Sequence, residues 1–363
     1  MRYLTNDSTD PHWNMAFDET ALTALPSPEP VFYLWQNRPA VIIGRNQSAP
    51  AEVNLPYLEE HGIVLARRVT GGGAVYHDLG NLNYSFVGGV REMDELQPVQ
   101  LMAAALRSLG IPAEVSGRND ILVEGRKCSG YAKRLAGTRM MIHGTLMWNV
   151  DLSALSAALS VPGSKFATSA IASVRSKVCN LCEYLPGWSL ADFRSRLHDY
   201  LSSGATEDHS KPSPAATPVG CSATLPTRVR DRGRTRVLNG ASFAPTDSQS
   251  VTPDFIAAVN ALADSKFRSW EWIHGRSPVT DFTASRKFPS CGTVRVHFSV
   301  RKGLLADVFF SGDFLGNLPA EDLASALNGT RFDPASLSAA LTSLPVSSCF
   351  DGLTPADLLS LFF

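Results

Sequence analysis

The feature that most constrains this chain is the 48-residue stretch 203–250. Ser, Thr, Pro and Gly supply 22 of its residues, and large apolar side chains only six (Val219, Leu225, Val229, Val237, Leu238 and Phe243). Such a segment buries too little surface to offset the entropy of ordering it, so it reads as a linker or mobile insertion. It divides the 363 residues into a body at 1–202 and a smaller one at 251–363, each long enough for its own core. Five arginines at 228, 230, 232, 234 and 236 surround one acid, Asp231. They suit either a solvated basic tether or a contact for phosphate or an acidic partner.

Bulk composition excludes several classes. The 33 Lys+Arg nearly balance 34 Asp+Glu, against the basic excess usual in a nucleic-acid binder. No apolar run approaches the ~18 residues that span a bilayer. The first thirty residues hold Arg2 against Asp7, Asp10, Asp18, Glu19 and Glu29, the reverse of a transit peptide, so the cytoplasm is the expected location. Six cysteines, at 128, 179, 182, 221, 291 and 349, are too sparse for a disulfide framework. Cys179 and Cys182 have CxxC spacing without a second metal-binding pair; zinc, redox and two small buried thiols near a turn are the readings.

Before the stretch at 203–250, strands and helices alternate. Helices are expected at 13–25, 99–109, 152–159 and 190–201, and strands at 31–35, 40–43, 63–69, 81–87, 120–123 and 140–150. After it come a helix at 253–264, a hairpin 293–300/304–310 and helices at 319–327 and 334–344. The expectation is a large mixed α/β body plus a small α+β one.

Three stretches carry chemistry. In Arg67-Arg68-Val69-Thr70-Gly71-Gly72-Gly73-Ala74-Val75-Tyr76-His77-Asp78-Leu79-Gly80-Asn81-Leu82-Asn83, three glycines let backbone approach a ligand, and their N–H groups could meet a phosphate or acyl group. The two arginines offer permanent planar charge for an anion. The run matches neither a Walker loop nor a dinucleotide fingerprint. The second stretch is Gly117-Arg118-Asn119-Asp120-Ile121-Leu122-Val123-Glu124-Gly125-Arg126-Lys127-Cys128-Ser129-Gly130. A two-residue turn at Glu124-Gly125 sets Val123 opposite Arg126, Leu122 opposite Lys127 and Asp120 opposite Ser129. Asp120, Lys127 and Ser129 then share a face, where Asp120 and Asn119 suit a magnesium ion and Lys127 a carbonyl or phosphate. An ordinary surface Asp–Lys pair is the plain alternative. The third, His143-Gly144-Thr145, lies in an apolar strand where a histidine serves a core or a site. Arg175 and Lys177 follow a Gly/Ser/Ala-rich loop that could order over a nucleotide.

Together these motifs, with Asn14-Met-Ala-Phe-Asp-Glu19, Trp35-Gln36, Ile42-Ile43-Gly44-Arg45-Asn46-Gln47, Ser173-Val-Arg-Ser-Lys177 and Ser269-Trp-Glu-Trp272, resemble the lipoate–protein ligase A family of the biotin/lipoate ligase superfamily. The resemblance implies a catalytic domain of mixed β-sheets flanked by helices, class II synthetase-like, with a small α+β accessory domain. It implies attack of lipoate on ATP to give lipoyl-AMP, with Mg²⁺, then transfer to an acceptor lysine. The implied acceptors are lipoyl domains of 2-oxoacid dehydrogenase E2 subunits and the glycine-cleavage H protein, served by a monomer. By carry-over, Lys127 contacts the reacting carbonyl and phosphate, and Asp120 with Asn119 sits at the metal and phosphate position. Arg68, Gly71, Gly72 and Gly73 line the lipoate pocket with His77, Asn83 and His143; Ser129 and Lys177 complete the set. The tail tunnel is expected along Val75, Leu82 and Met147.

The chain departs from the family where Ile142 replaces the first of two histidines, where Cys179 and Cys182 replace threonines, and at Ile273-His274-Gly275. Competing readings are an ATP-independent octanoyl or lipoyl transferase working through a cysteine thioester, and an inactive lipoyl-domain-binding module. A biotin ligase would need a GRGRxxR-type loop, which is absent.

Overall fold

A computed structural model describes residues 1–25, 29–47, 49–116, 120–159, 177–203, 246–249, 251–274, 282–301 and 303–363. In chain order the strands are β1 (Arg2–Leu4), β2 (Val31–Trp35), β3 (Ala40–Ile43), β4 (Val64–Arg67), β5 (Val75–His77), β6 (Asn81–Gly89), β7 (Ala113–Ser116), β8 (Asp120–Val123), β9 (Arg126–Ala136), β10 (Arg139–Met147) and β11 (Thr246–Gln249), then β12 (Phe282–Phe288), β13 (Gly292–Arg301) and β14 (Leu304–Gly312). Eight of them form one sheet in the order β11-β1-β2-β6-β10-β9-β8-β7. A small sheet β4-β3-β5 stands beside it, and β12-β13-β14 make a third.

The sequence accounts for these elements locally. The first helix, Pro11–Ala24, starts where Asp10 accepts from the His12 and Trp13 amides and Pro11 supplies a preset φ. It buries Met15, Phe17, Ala21 and Leu22 against β2 and β6, at ~1.5–3 kcal/mol for each large side chain. Every residue of β2 is buried, as befits a strand covered on both faces. The β8–β9 turn has φ of 51° at Glu124 and 76° at Gly125, the paired left-handed values of a type I′ hairpin. Val123 faces Arg126 and Leu122 faces Lys127 as expected, but a bulge follows. Asp120 therefore faces Gly130 and not Ser129, because one extra residue, Cys128, is accommodated on β9.

The expected division of the chain also shifts. Residues 204–245, including the arginine cluster, lie outside the described residues, while 246–249 form β11 at the edge of the large sheet, parallel to β1. The helix Pro253–Leu262 and the turn after it bury Phe255, Val259, Ala263 and Phe267 in the same core as Phe17 and Leu22. Their i, i+4 spacing forms an apolar stripe that the first helix completes, with Phe17 and Phe255 rings 5.1 Å apart. By packing, residues 251–274 thus belong to the large body. A separate core spans Phe288 to Phe362.

Candidate active site

Strand pairing builds the floor of a cleft. Asn83 on β6 is opposite Trp35 on β2 and Thr145 on β10. Two residues along, Ser85 is opposite Tyr33 and His143, and His143 faces Ala132 on β9. The period of two places both rows on one face. Ile42, Arg68, Gly72, Gly73, Val75 and His77 from the β3–β5 side cover that floor, and Lys127 and Tyr131 stand at its edge. The space in the cleft, counting the solvent at its open mouth, is ≈ 620 Å³.

Seven predicted site residues, Arg68, Gly72, Gly73, His77, Asn83, Lys127 and His143, line this one cleft. Lys127 Nζ lies 2.7 Å from Asp120 Oδ1 at the exposed end, where the two side chains retain 40% and 33% of their exposure. Gly130 leaves room for the lysine head, since a Cβ there would fall 2.9 Å from Nζ. Gly71 is in the same loop but turned toward the small body: its Cβ would lie 2.5 Å from the Phe314 carbonyl oxygen. Ser129 is fully buried and faces the Tyr84 hydroxyl at 3.4 Å, away from the cleft lining, a consequence of the bulge. Lys177 is exposed next to Val178, which bridges Lys127, and Cys179 N donates to the Lys127 carbonyl at 3.0 Å. Asn119, Arg175 and the loop 160–176 lie outside the described residues. Of the expected tunnel, Val75 lines the cleft. Leu82 belongs to the main core and Met147 to a neighbouring cluster, while Met15, Trp35 and Ile42 line the cleft as well.

Two expectations about charge are corrected. Arg67 is fully buried and donates to the carbonyls of Gly44, Arg45, Gln47, Trp272 and Ile273. Arg68 donates to the carbonyls of Ile42, Gly71 and Gly73 and to Thr70 Oγ1. Burial pulls both guanidinium pKa values down to about 10, with mutual repulsion adding to the effect on Arg67. Arg68 thus ties the glycine loop to Ile42, and Arg67 ties the Gly44–Gln47 turn to residues 272–273, so both guanidiniums are engaged mainly by backbone carbonyls. The Gly72 N–H is likewise taken, donating to the Phe314 carbonyl at 3.0 Å.

A polar network that the motifs did not reveal underlies the floor. Asp18 accepts from Tyr33 Oη at 2.6 Å and from Ser85 Oγ at 2.9 Å. His143 Nδ1 meets Asp18 Oδ2 at 2.6 Å and Nε2 meets Thr70 Oγ1 at 2.7 Å. Thr70 Oγ1 also accepts from Arg68 Nε, which joins the network to the glycine loop. An acid at position 18, four residues from Asn14 on an otherwise apolar helix face, was the sequence signal for this network. On the other wall, burial above all, then Arg68 and His143, pushes the His77 pKa down to about 3. Its ring is therefore neutral at physiological pH. Burial also raises the thiol pKa of Cys179, of Cys182 and of Cys128, the last to about 12. None has the depressed pKa of a thiolate nucleophile.

The cleft, with an ion-paired lysine at its mouth and a glycine loop held by Arg68, lies in the large body, to which the small one is appended. Residues 10–202 match the lipoyl protein ligase A/B catalytic domain, and residues 277–362 the bacterial lipoate protein ligase C-terminus. A probable lipoate–protein ligase A of Mycoplasma genitalium is 32% identical over 99% of this chain and 98% of its own length. A lipoate–protein ligase of Bacillus subtilis is 31% identical, covering 100% of both. Among solved structures, P. falciparum LipL1 in complex with lipoate superposes with a TM-score of 0.71 at 21% identity, over 99% of this chain and 97% of that one. A lipoate–protein ligase A bound with ATP gives 0.57 at 25% identity, over 76% and 99%. The chain belongs to the lipoate–protein ligase family.

Proposed function

We propose that this enzyme activates lipoate with ATP and transfers the lipoyl group to a lysine of a lipoyl domain. The observation that carries the reading is Lys127 Nζ, paired with Asp120 at the open end of a cleft whose lining mixes apolar side chains with a few polar ones. An acyl chain lying along Val75, Ile42, Met15 and Trp35 would present its carboxylate at Lys127. There a carboxylate oxygen bonds the α-phosphorus of ATP and pyrophosphate departs. The lysine charge offsets the repulsion between two anions and the charge that develops in the transition state. In the second step the neutral acceptor amine attacks the acyl carbon, the C–O bond to AMP breaks, and the amine proton passes to water or to AMP. The relative solved with bound ATP supports the nucleotide. A Thermoplasma acidophilum bipartite ligase solved with its E2 lipoyl domain supports the acceptor class; it matches with a TM-score of 0.61 at 26% identity, over 77% of this chain and 98% of that one. The H protein is proposed on the same lipoyl-lysine chemistry.

Among the described residues no group of three His, Cys, Asp or Glu could hold a metal ion. One hard carboxylate, Asp120 beside the cleft mouth, does suit Mg²⁺, which commonly takes one or two carboxylates and completes its shell with phosphate oxygens and water. When bound, Mg²⁺ would neutralise phosphate charge. Asp120→Asn is expected to raise the Mg²⁺ concentration needed for half-maximal pyrophosphate exchange about tenfold, while Lys127 loses its ion-pair partner. An unchanged Mg²⁺ titration would reject the metal assignment.

The direct test of the function is lipoate-dependent ATP–pyrophosphate exchange, followed by mass gain on a purified lipoyl domain. No exchange and no mass gain with ATP, Mg²⁺ and lipoate would refute it. The double variant Cys179→Ala/Cys182→Ala is expected to retain exchange and transfer within about twofold, because burial keeps both thiols protonated. Loss of transfer with exchange intact would restore the thioester route.

A further inference from the structure

The covered end of the cleft carries two buried nitrogen donors that find no partner among the described residues, His77 Nε2 and Asn83 Nδ2. Their residues are 3% and 1% exposed, and both line the cleft. The proton on His77 Nε2 is placed there by a chain of amides. Asn6 Nδ2 donates to Asn14 Oδ1 at 3.1 Å, and Asn14 Nδ2 donates to Asn37 Oδ1 at 2.8 Å. Asn37 must then present its own Nδ2 to His77 Nδ1, at 3.0 Å, so that ring nitrogen accepts and Nε2 bears the hydrogen. Asn83 is oriented in the same way: its Oδ1 accepts from Asn81 Nδ2 at 2.9 Å, which turns the amide nitrogen away. Trp35 completes the corner, opposite Asn83 in the sheet and with its ring 6.3 Å from that of His77.

Buried donors are seldom left unpaired, and a ligand that leaves them so binds less tightly than one that meets them. If the reacting carboxylate lies at Lys127, as the proposed function holds, the atoms that reach His77 and Asn83 are those of the acyl tail. A plain alkyl tail offers no acceptor there. A dithiolane offers two sulfurs, which accept hydrogen bonds weakly and also pack favourably against an aromatic edge.

We propose that the His77 and Asn83 side chains, set as donors by the Asn6–Asn14–Asn37 and Asn81 amides, read the sulfurs of the acyl ring and make this site selective for lipoate over octanoate. The inference rests on the lipoate reading of the cleft. It also runs against the apolar trend, since a more hydrophobic tail would otherwise bind more tightly.

The test is direct binding without ATP, by calorimetry, of lipoate, octanoate and 5-cyclopentylpentanoate, whose ring has the dithiolane's outline without its sulfurs. The unaltered protein is expected to bind lipoate about tenfold more tightly than either sulfur-free acid. Asn83→Leu is expected to bring the three within about threefold, chiefly by weakening lipoate. Equal binding of lipoate and the cyclopentyl acid by the unaltered protein overturns the inference even if Asn83→Leu does not fold. A well-folded Asn83→Leu that keeps the full preference overturns it too. Binding of none of the three acids would refute the lipoate reading itself, a result separate from either of these.

Discussion

Lys127→Ala is expected to reduce lipoate-dependent pyrophosphate exchange by at least ~10²-fold, the scale for removing one preorganised charge or donor from a developing anion. The fold should survive, because the Lys127 side chain is 40% exposed and its partner Asp120 33%. An exposed pair of this kind adds little to stability, on the order of 0–1 kcal/mol, so a large activity loss would report chemistry and not unfolding. Circular dichroism and the thermal midpoint supply that control. Lipoate binding without ATP should fall far less than exchange, since the tail contacts are untouched. A folded Lys127→Ala variant that still forms lipoyl-AMP at the unaltered rate would remove Lys127 from the reaction.

Arg67→Ala should act in the opposite way, through stability. Its guanidinium joins the Gly44–Gln47 turn, by the carbonyls of Gly44, Arg45 and Gln47, to the Trp272 and Ile273 carbonyls far along the chain. Truncation strips these buried oxygens of their donor, and each buried group left unsatisfied costs roughly 1–3 kcal/mol. A cavity the size of the lost side chain adds to that. The expected loss of at least ~4 kcal/mol is a large part of the 5–15 kcal/mol that holds a typical domain folded. Arg67→Lys should recover little, because three donors on a point charge cannot reach acceptors spread around a planar fork. Urea unfolding of the two variants decides the matter. A change below about 1 kcal/mol for Arg67→Ala would show that the clamp is not structural.

The contrast between these residues shows what local sequence could and could not reveal. Both arginines next to the glycines had the composition of an anion site, and spacing offered no way to see that carbonyls would saturate them. For Arg68 those carbonyls are Ile42, Gly71 and Gly73; for Arg67 they belong to the Gly44–Gln47 turn and to residues 272–273, over two hundred positions away. The Glu124-Gly125 turn was legible because two consecutive left-handed residues leave few alternatives, and it placed Lys127 beside Asp120. The bulge that swung Ser129 into the core was not legible, since nothing in Lys127-Cys128-Ser129 marks an extra residue in the ladder. A helix was expected at 253–264 and is seen at Pro253–Leu262, but which body it would cover depended on the complementary face of the first helix.

The sequence by itself determined the longer helices, several of the strands, the chemistry available to the cleft and the family resemblance, because turn residues, caps and apolar periods act over a few neighbours; short strands such as Arg2–Leu4, Ala113–Ser116 and Thr246–Gln249 carried no such signal. Tertiary structure alone decided which charges are spent on backbone carbonyls and where the large body ends. It alone also disclosed two buried donors in the cleft, His77 Nε2 and Asn83 Nδ2, that have no partner among the described residues. Those outcomes depend on burial, which desolvates a group and fixes its partners only when distant segments close around it.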